Sequence, residues 1–280
     1  MNTKWHIVAD SSCDLHELPV EAENIDFATI PFCIRIGENE YMDDESMNTE
    51  RLLDENERNK EAAQTACPAP QAWLDFFSAP GPVLAFTISS ALSGSYNSAC
   101  AARDMILETQ PDKQIAVIDT KATGPETVLL IRAACELISQ GMDIHVIEEE
   151  LRRRAKSTHI AFALSSYHNL IKAGRVSRLI GAIAGHLGIW GVGAGDDRGE
   201  IVMRGKARGI KGMIKLMTDE IRQNDLANGS LVICHCLNEE AARELKEKLQ
   251  AAFSHIRIDI LPTRGLDSFY AERHGIILAY

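Results

Sequence analysis

Val83-Leu84-Ala85-Phe86-Thr87 runs directly into Ile88-Ser89-Ser90-Ala91-Leu92-Ser93-Gly94-Ser95-Tyr96-Asn97-Ser98-Ala99. The first five residues carry no charge and have the continuous apolar character of a strand buried on both faces. Ser95 to Glu108 reads as helical, so the serine-rich stretch is a turn that leaves the carboxyl end of a strand and enters a helix. In open α/β sheets, ligands bind in the crevice at those strand ends. The turn offers several hydroxyls, a glycine that allows close backbone approach, and free N–H groups at a helix start. These are the ingredients of a site for a carboxylate or a phosphate. Ser93 would also serve as a plain N-cap that binds nothing. One cap needs one or two hydroxyls, not this density, and on sequence both readings stand.

Outward from this unit the same alternation repeats. Strands are expected at His6-Ile7-Val8-Ala9, Ile115-Ala116-Val117-Ile118, Ile160 to Leu164, Leu231-Val232-Ile233-Cys234 and Ile256 to Leu261. Helices are expected at Pro125 to Gln140, Ile144 to Lys156, Lys211 to Gln223 and Glu239 to Ala252. Strand–helix alternation of this kind implies α/β architecture with mainly parallel sheets. The length, 280 residues, suits two domains. The boundary is placed after the helix ending near Lys156. Residues 1–156 then form an N-terminal α/β domain with the serine-rich turn, and 157–280 a second α/β domain.

Composition narrows the function. Hydrophobic residues make up 45% and charged residues 25%, an ordinary globular balance. With 40 acidic and 29 basic side chains the formal charge is −11, which works against binding a phosphate backbone, so no nucleic-acid partner is expected. No run approaches the roughly 18 apolar residues of a membrane span. Met1-Asn2-Thr3-Lys4-Trp5 does not read as a signal peptide, and a cytoplasmic protein is expected. The seven cysteines are scattered without a C-x-x-C and read as buried thiols in a reducing compartment, with no metal.

Other stretches carry residues suited to chemistry. Gly188-Ile189-Trp190-Gly191-Val192-Gly193-Ala194-Gly195 is G-x-G-x-G, not the dinucleotide G-x-G-x-x-G, and Asp196-Asp197 would repel phosphate. It reads as a glycine-rich strand whose hairpin partner begins near Gly199-Glu200-Ile201-Val202. No phosphate-cradling G-x-x-x-x-G-K-[ST] occurs, and no cofactor is expected. Ser93 lacks the first glycine of a G-x-S-x-G elbow, since Ala91 stands there, so a hydrolase or acyltransferase with Ser93 as nucleophile is the alternative rather than the main reading. Lys206, Arg208 and Lys211 form a basic group among glycines, in which Arg208 is suited to a carboxylate or a phosphorylated group. His274 precedes Gly275 and on its own points to nothing.

Taken in order, several pieces resemble the DegV family of fatty-acid-binding proteins. Asp10-Ser11-Ser12-Cys13-Asp14-Leu15 resembles D-S-T-x-D-L, and Thr65-Ala66-Cys67-Pro68 stands where the family has T-S-Q-P. Ser89 to Tyr96 is similar to S-S-x-L-S-G-T-Y, with Ser95 in place of the threonine, and Val117-Ile118-Asp119-Thr120 to V-I-D-S. Lys172-Ala173-Gly174-Arg175-Val176-Ser177 resembles K-x-G-R-I-S, and Lys206-Ala207-Arg208-Gly209 resembles K-x-R-G. The resemblance implies two α/β domains holding a long-chain fatty acid, with the carboxylate on Thr65, Ser93 and Gly94 and with Ser95 beside them. It implies a bacterial lipid-binding carrier without catalysis of its own. A separate fatty acid kinase would phosphorylate the bound acid to acyl-phosphate for phospholipid synthesis. Arg208 and His274 match positions near the exposed carboxylate. Two departures, Trp190-Gly191-Val192 for K-P-I and Gly275-Ile276-Ile277 for G-P-G, are expected to bear on the acyl pocket or the kinase surface. A third class, a transport or sensing module for another amphiphile, also fits.

Overall fold

The computed structural model describes residues 3–18, 20, 22–59, 63–176, 188–224, 226, 229–253 and 255–280. Strand β1 (Trp5–Asp10) ends in a 3-10 turn at Ser11–Cys13 and is followed by β2 (Ile25–Ile30), β3 (Cys33–Ile36), β4 (Asn39–Met42), α1 (Thr49–Arg58), β5 (Gln64–Ala66) and α2 (Pro70–Phe77). Next come β6 (Val83–Thr87), α3 (Ser95–Thr109), β7 (Ile115–Asp119), α4 (Pro125–Ser139) and α5 (Ile144–Arg154). The four strands β2-β1-β6-β7, in that order, make one sheet in which every pair is parallel. Strands β4-β3-β5 form a separate small antiparallel sheet.

The rest of the chain supplies β8 (Ile160–Leu164), α6 (His168–Lys172), β9 (Ile189–Gly195), β10 (Ile201–Arg208), α7 (Gly209–Arg222), β11 (Ser230–His235), α8 (Glu239–Ala252), β12 (Arg257–Pro262), α9 (Gly265–Ala271) and β13 (Ile276–Ala279). Its sheet has the order β10-β9-β8-β13-β11-β12. The α/β class holds, but the expectation of mainly parallel sheets does not extend to this one. Only β11 and β12, joined through α8, run parallel; the other neighbours are antiparallel. The reason is physical: an apolar run signals burial on both faces, not strand direction. Val232 and Cys234 of β11 pack toward α4, while Leu231 and Ile233 pack toward α7 and α8. Helices on both sides therefore impose the pattern that a parallel sheet would.

Helix α4 explains how the two sheets join. Twelve of its 15 residues are buried, which is expected of a helix with protein all round it. It packs on Ile7, Leu84 and Phe86 of the first sheet and on Val232, Cys234 and Ala279 of the second. Beyond its N-terminus the carboxyl ends of β6 and β7 face β8, β9 and β13 across a gap. Among the described residues no helix is long and apolar enough to cross a membrane.

Candidate functional site

That gap is a cavity of 340 Å³, within the roughly 300–1,000 Å³ of small-molecule pockets. Its body is apolar, with Phe32, Ile88, Phe162, Leu170, Leu266 and Ile277 in the wall. Strand β9 shows why this wall needs glycine. Gly191, Gly193 and Gly195 share one face, and a Cβ on them would stand 2.5 Å from Tyr167, 2.4 Å from Phe162 and 2.7 Å from Ile160. The missing side chains make room for those three, and Phe162 and Ile160 line the cavity. Trp190 and Val192 point the other way, into the core with Met213 and Met217 of α7. Of the Trp190-Gly191-Val192 departure, Trp190 and Val192 therefore do not face the cavity, because alternation turns the glycines to that side. Ile276 likewise lies in that core, and its neighbour Ile277 in the cavity wall.

The serine-rich turn closes one side, and its geometry is set from below by Asp10. This buried carboxylate accepts from the Ser12 N–H at 3.3 Å and Oγ at 2.5 Å, the Ile88 N–H at 3.0 Å and the Ser95 Oγ at 2.6 Å. Burial pushes its pKa up, and the hydrogen bonds oppose that shift. The opening Asp10-Ser11-Ser12 segment is therefore the support of the turn. Ser11 adds to it by accepting the Phe32 N–H at 3.0 Å.

The serines divide the work. Ser89 donates to the Gly199 carbonyl at 2.8 Å and so pins the β9–β10 hairpin tip, where Gly199 has φ +79° and a Cβ would lie 2.2 Å from the Ser89 Oγ. Ser90 donates to Asp119 at 2.5 Å, and Lys121 pairs with the same carboxylate at 2.7 Å. Ser95 is spent on Asp10. Ser93 differs: its Oγ accepts the Ser95 N–H at 3.2 Å, and among the described hydrogen bonds it donates to none. The expected Ser93 N-cap is corrected, since the N-cap of α3 is Gly94 and has no side-chain cap bond; Ser93 instead closes a local two-residue turn through a lone pair and leaves its proton.

Across from Ser93 stands β5. A Cβ on Gly94 would touch the Cys67 Sγ at 3.4 Å, so the segment carrying Thr65 abuts the turn. Thr65, Cys67, Ser93 and Gly94 all line the cavity, and the Thr65 Oγ1 lies 2.8 Å from the Tyr270 OH of α9. Thus Thr65, Ser93 and Gly94, expected together, do meet in the wall of one cavity. Ser95 sits behind them, buried. Arg208 and His274 are exposed and do not line the cavity; Arg208 precedes α7, and His274 has φ 72° before β13. Ser177 lies outside the described residues.

Four charged residues in the wall, Lys121, Arg175, Glu200 and Asp267, are not among the site residues expected from the sequence. Arg175 ties the segment after α6 to the serine-rich turn, with Nε donating to the Leu92 carbonyl at 2.6 Å and Nη1 to the Ala173 carbonyl at 2.8 Å. Its place in K-x-G-R was the available signal. Asp267 accepts from Thr123 at 2.6 Å. Burial, then the nearby Asp14 carboxyl, pushes Asp267 well above the usual carboxylate range, while burial takes Asp14 up to about 7. A shift in that direction favours the neutral form of Asp267. Among the described residues no histidine lines the cavity, and no cluster of His, Cys, Asp and Glu is arranged to hold a metal ion.

A largely apolar cavity between two sheets, with the Ser93 and Thr65 hydroxyls in its wall, defines an α/β protein built around an amphiphile-shaped site. Comparison with known proteins is specific about its family. The family described as "Uncharacterised protein, DegV family" matches residues 4–272, and the chain belongs to the DegV family. A DegV domain-containing protein of Streptococcus pneumoniae strain R6 is 36% identical over 276 residues, which is 99% of this chain and 98% of that one. The crystal structure of the Streptococcus pneumoniae Fatty Acid Kinase (Fak) B3 protein loaded with linoleic acid is similar at a TM-score of 0.95, with 36% identity over 99% of both chains. A DegV family protein from Eubacterium eligens loaded with heptadecanoic acid is similar at 0.93, with 33% identity over 98% of both.

Proposed function

We propose that this protein binds a long-chain fatty acid and presents its carboxylate to a separate kinase, which phosphorylates it to acyl-phosphate. The observation that carries this is the meeting of Thr65 and Ser93, from separate segments of the chain, in the wall of one mainly apolar cavity. The hydrocarbon occupies the apolar body, where each buried methylene contributes about 0.8 kcal/mol. The carboxylate stays at these hydroxyls, because burying it unpaired would be prohibitive. The fatty acids held by the Streptococcus pneumoniae and Eubacterium eligens relatives support the same ligand class. In this reading residues 1–156 supply the head-group turn and 157–280 most of the acyl wall.

The protein performs no chemistry of its own and works in the cytoplasm. Phosphoryl transfer needs a nucleotide site, and the kinase brings it. Arg208 and His274 then belong to the face the kinase meets. Native mass spectrometry of freshly purified protein tests the reading. A bound mass of a long-chain fatty acid, released on denaturation, is the expected result. A folded protein that carries none and takes up none from added oleate would overturn it.

A further inference from the structure

Tyr270 belongs to none of the motifs that drew attention in the sequence, yet its hydroxyl has one described partner, the Thr65 Oγ1 at 2.8 Å, and both side chains line the cavity. We propose that Tyr270 is a positioning residue for the head group, acting through Thr65; this rests on the reading of the site as a carboxylate site. Its ring is already accounted for, since it packs edge-on against Phe269 with centroids 4.9 Å apart, a role phenylalanine would fill equally. The hydroxyl is what remains to be explained.

Proton counting shows what it does. Two hydroxyls bring two protons, and the bond between them uses one. With Tyr270 donating, the proton left for a third group is the one on Thr65. An unpaired Thr65 would rotate among its rotamers and lose freedom on binding. Paired with Tyr270, it holds its oxygen in place before the ligand arrives, which removes part of the ordering penalty.

The partner must therefore be rigid, and α9 is. Asp43 accepts from the Gly265 N–H at 2.8 Å and the Leu266 N–H at 2.9 Å at its start. Asn169 donates to the Phe269 carbonyl at 2.7 Å near its end. Thr65, by contrast, sits in β5, a three-residue edge strand. The anchored helix thus lends its position to the less constrained strand, across 205 residues of sequence.

The test uses Tyr270→Phe, which keeps the ring, and compares palmitate with methyl palmitate, which has the same chain without the charge. The wild type should prefer the acid. In Tyr270→Phe the dissociation constant for the acid should rise about tenfold, as for loss of one hydrogen bond supporting a charged group. That for the ester should change less than about twofold. Because Tyr270 acts through Thr65, Thr65→Val with Tyr270→Phe should bind the acid no worse than Thr65→Val alone. Equal weakening of acid and ester, or no change in either, overturns the role of Tyr270 while the wild-type preference for acid leaves the carboxylate site intact. A wild type that binds acid and ester alike overturns both. Circular dichroism on each unliganded variant confirms that the comparison is between folded proteins.

Discussion

Replacing Ser93 by alanine removes one oxygen that does two things, and the two are separable. As an acceptor it takes the Ser95 N–H at 3.2 Å at the start of α3. Losing one such local hydrogen bond costs about 0.5–1.5 kcal/mol, and the long contact argues for the lower end. In a chain of this size that is a fall of a few degrees in Tm, at roughly 2–4 °C per kcal/mol. As a donor, in the proposed function, it bonds the ligand carboxylate. A hydrogen bond to a charged group contributes about 1.5–3 kcal/mol, so the fatty-acid dissociation constant should rise about 10- to 150-fold. Displacement of a fluorescent fatty acid measures the second effect, and a thermal melt of unliganded protein measures the first. Ser95→Ala is the contrast: it strips a hydrogen bond from buried Asp10, so it should lower Tm with a smaller direct effect on affinity. Ser93→Ala that melts a few degrees lower but binds within twofold of wild type would make Ser93 only a local turn support and refute the reasoning.

Three further outcomes are expected. Burial raises Glu126 from 4.5 to about 8, so its neutral form favours folding most below pH 4.5, and that contribution is lost as pH rises toward 8. Relative to wild type, Glu126→Gln should gain on the order of 4 kcal/mol between pH 5 and 8 in urea titrations, whereas parallel pH profiles would place the proton elsewhere. A Cβ on Gly195 would lie 2.7 Å from the Ile160 Cγ2, and both residues line the cavity. Gly195→Ala should therefore weaken the longest acyl chains more than shorter ones in a chain-length series, and uniform weakening would count against an acyl wall there. Arg208→Ala should slow kinase-dependent acyl-phosphate formation far more than it raises the fatty-acid dissociation constant; if both change together, Arg208 is a direct head-group ligand.

What was legible in the sequence was local. The strand–turn–helix unit of β6 and α3 could be read because its apolar run and its hydroxyls are adjacent in the chain, and the β9–β10 hairpin because glycine and turn residues mark it. Strand direction in the second sheet was not legible: β13 inserts antiparallel between β8 and β11, and nothing in Ile276-Ile277-Leu278 encodes that choice beyond burial. Helix α9 is short and takes its start from Asp43, whose carboxylate is 222 residues from Gly265. No local cap announces it. The hydroxyls in the cavity wall follow the same division. Ser93 and Gly94 stand out within their own turn, and Thr65 by a matched motif. Tyr270 meets Thr65 only once the chain has folded, and Asp10 reveals its role only through the four donors that converge on it.

The central claim is an orientation as much as a ligand: hydrocarbon in the apolar cavity, carboxylate on Thr65 and Ser93. A crystal structure with a fatty acid brominated at its terminal carbon tests it most directly, because anomalous scattering locates the bromine independently of the chain. The account predicts the bromine deep in the cavity beside Phe162 and Ile277, with the carboxylate within hydrogen-bond distance of the Ser93 Oγ and the Thr65–Tyr270 pair. A bromine at the Thr65 end, or one outside the cavity altogether, would contradict it.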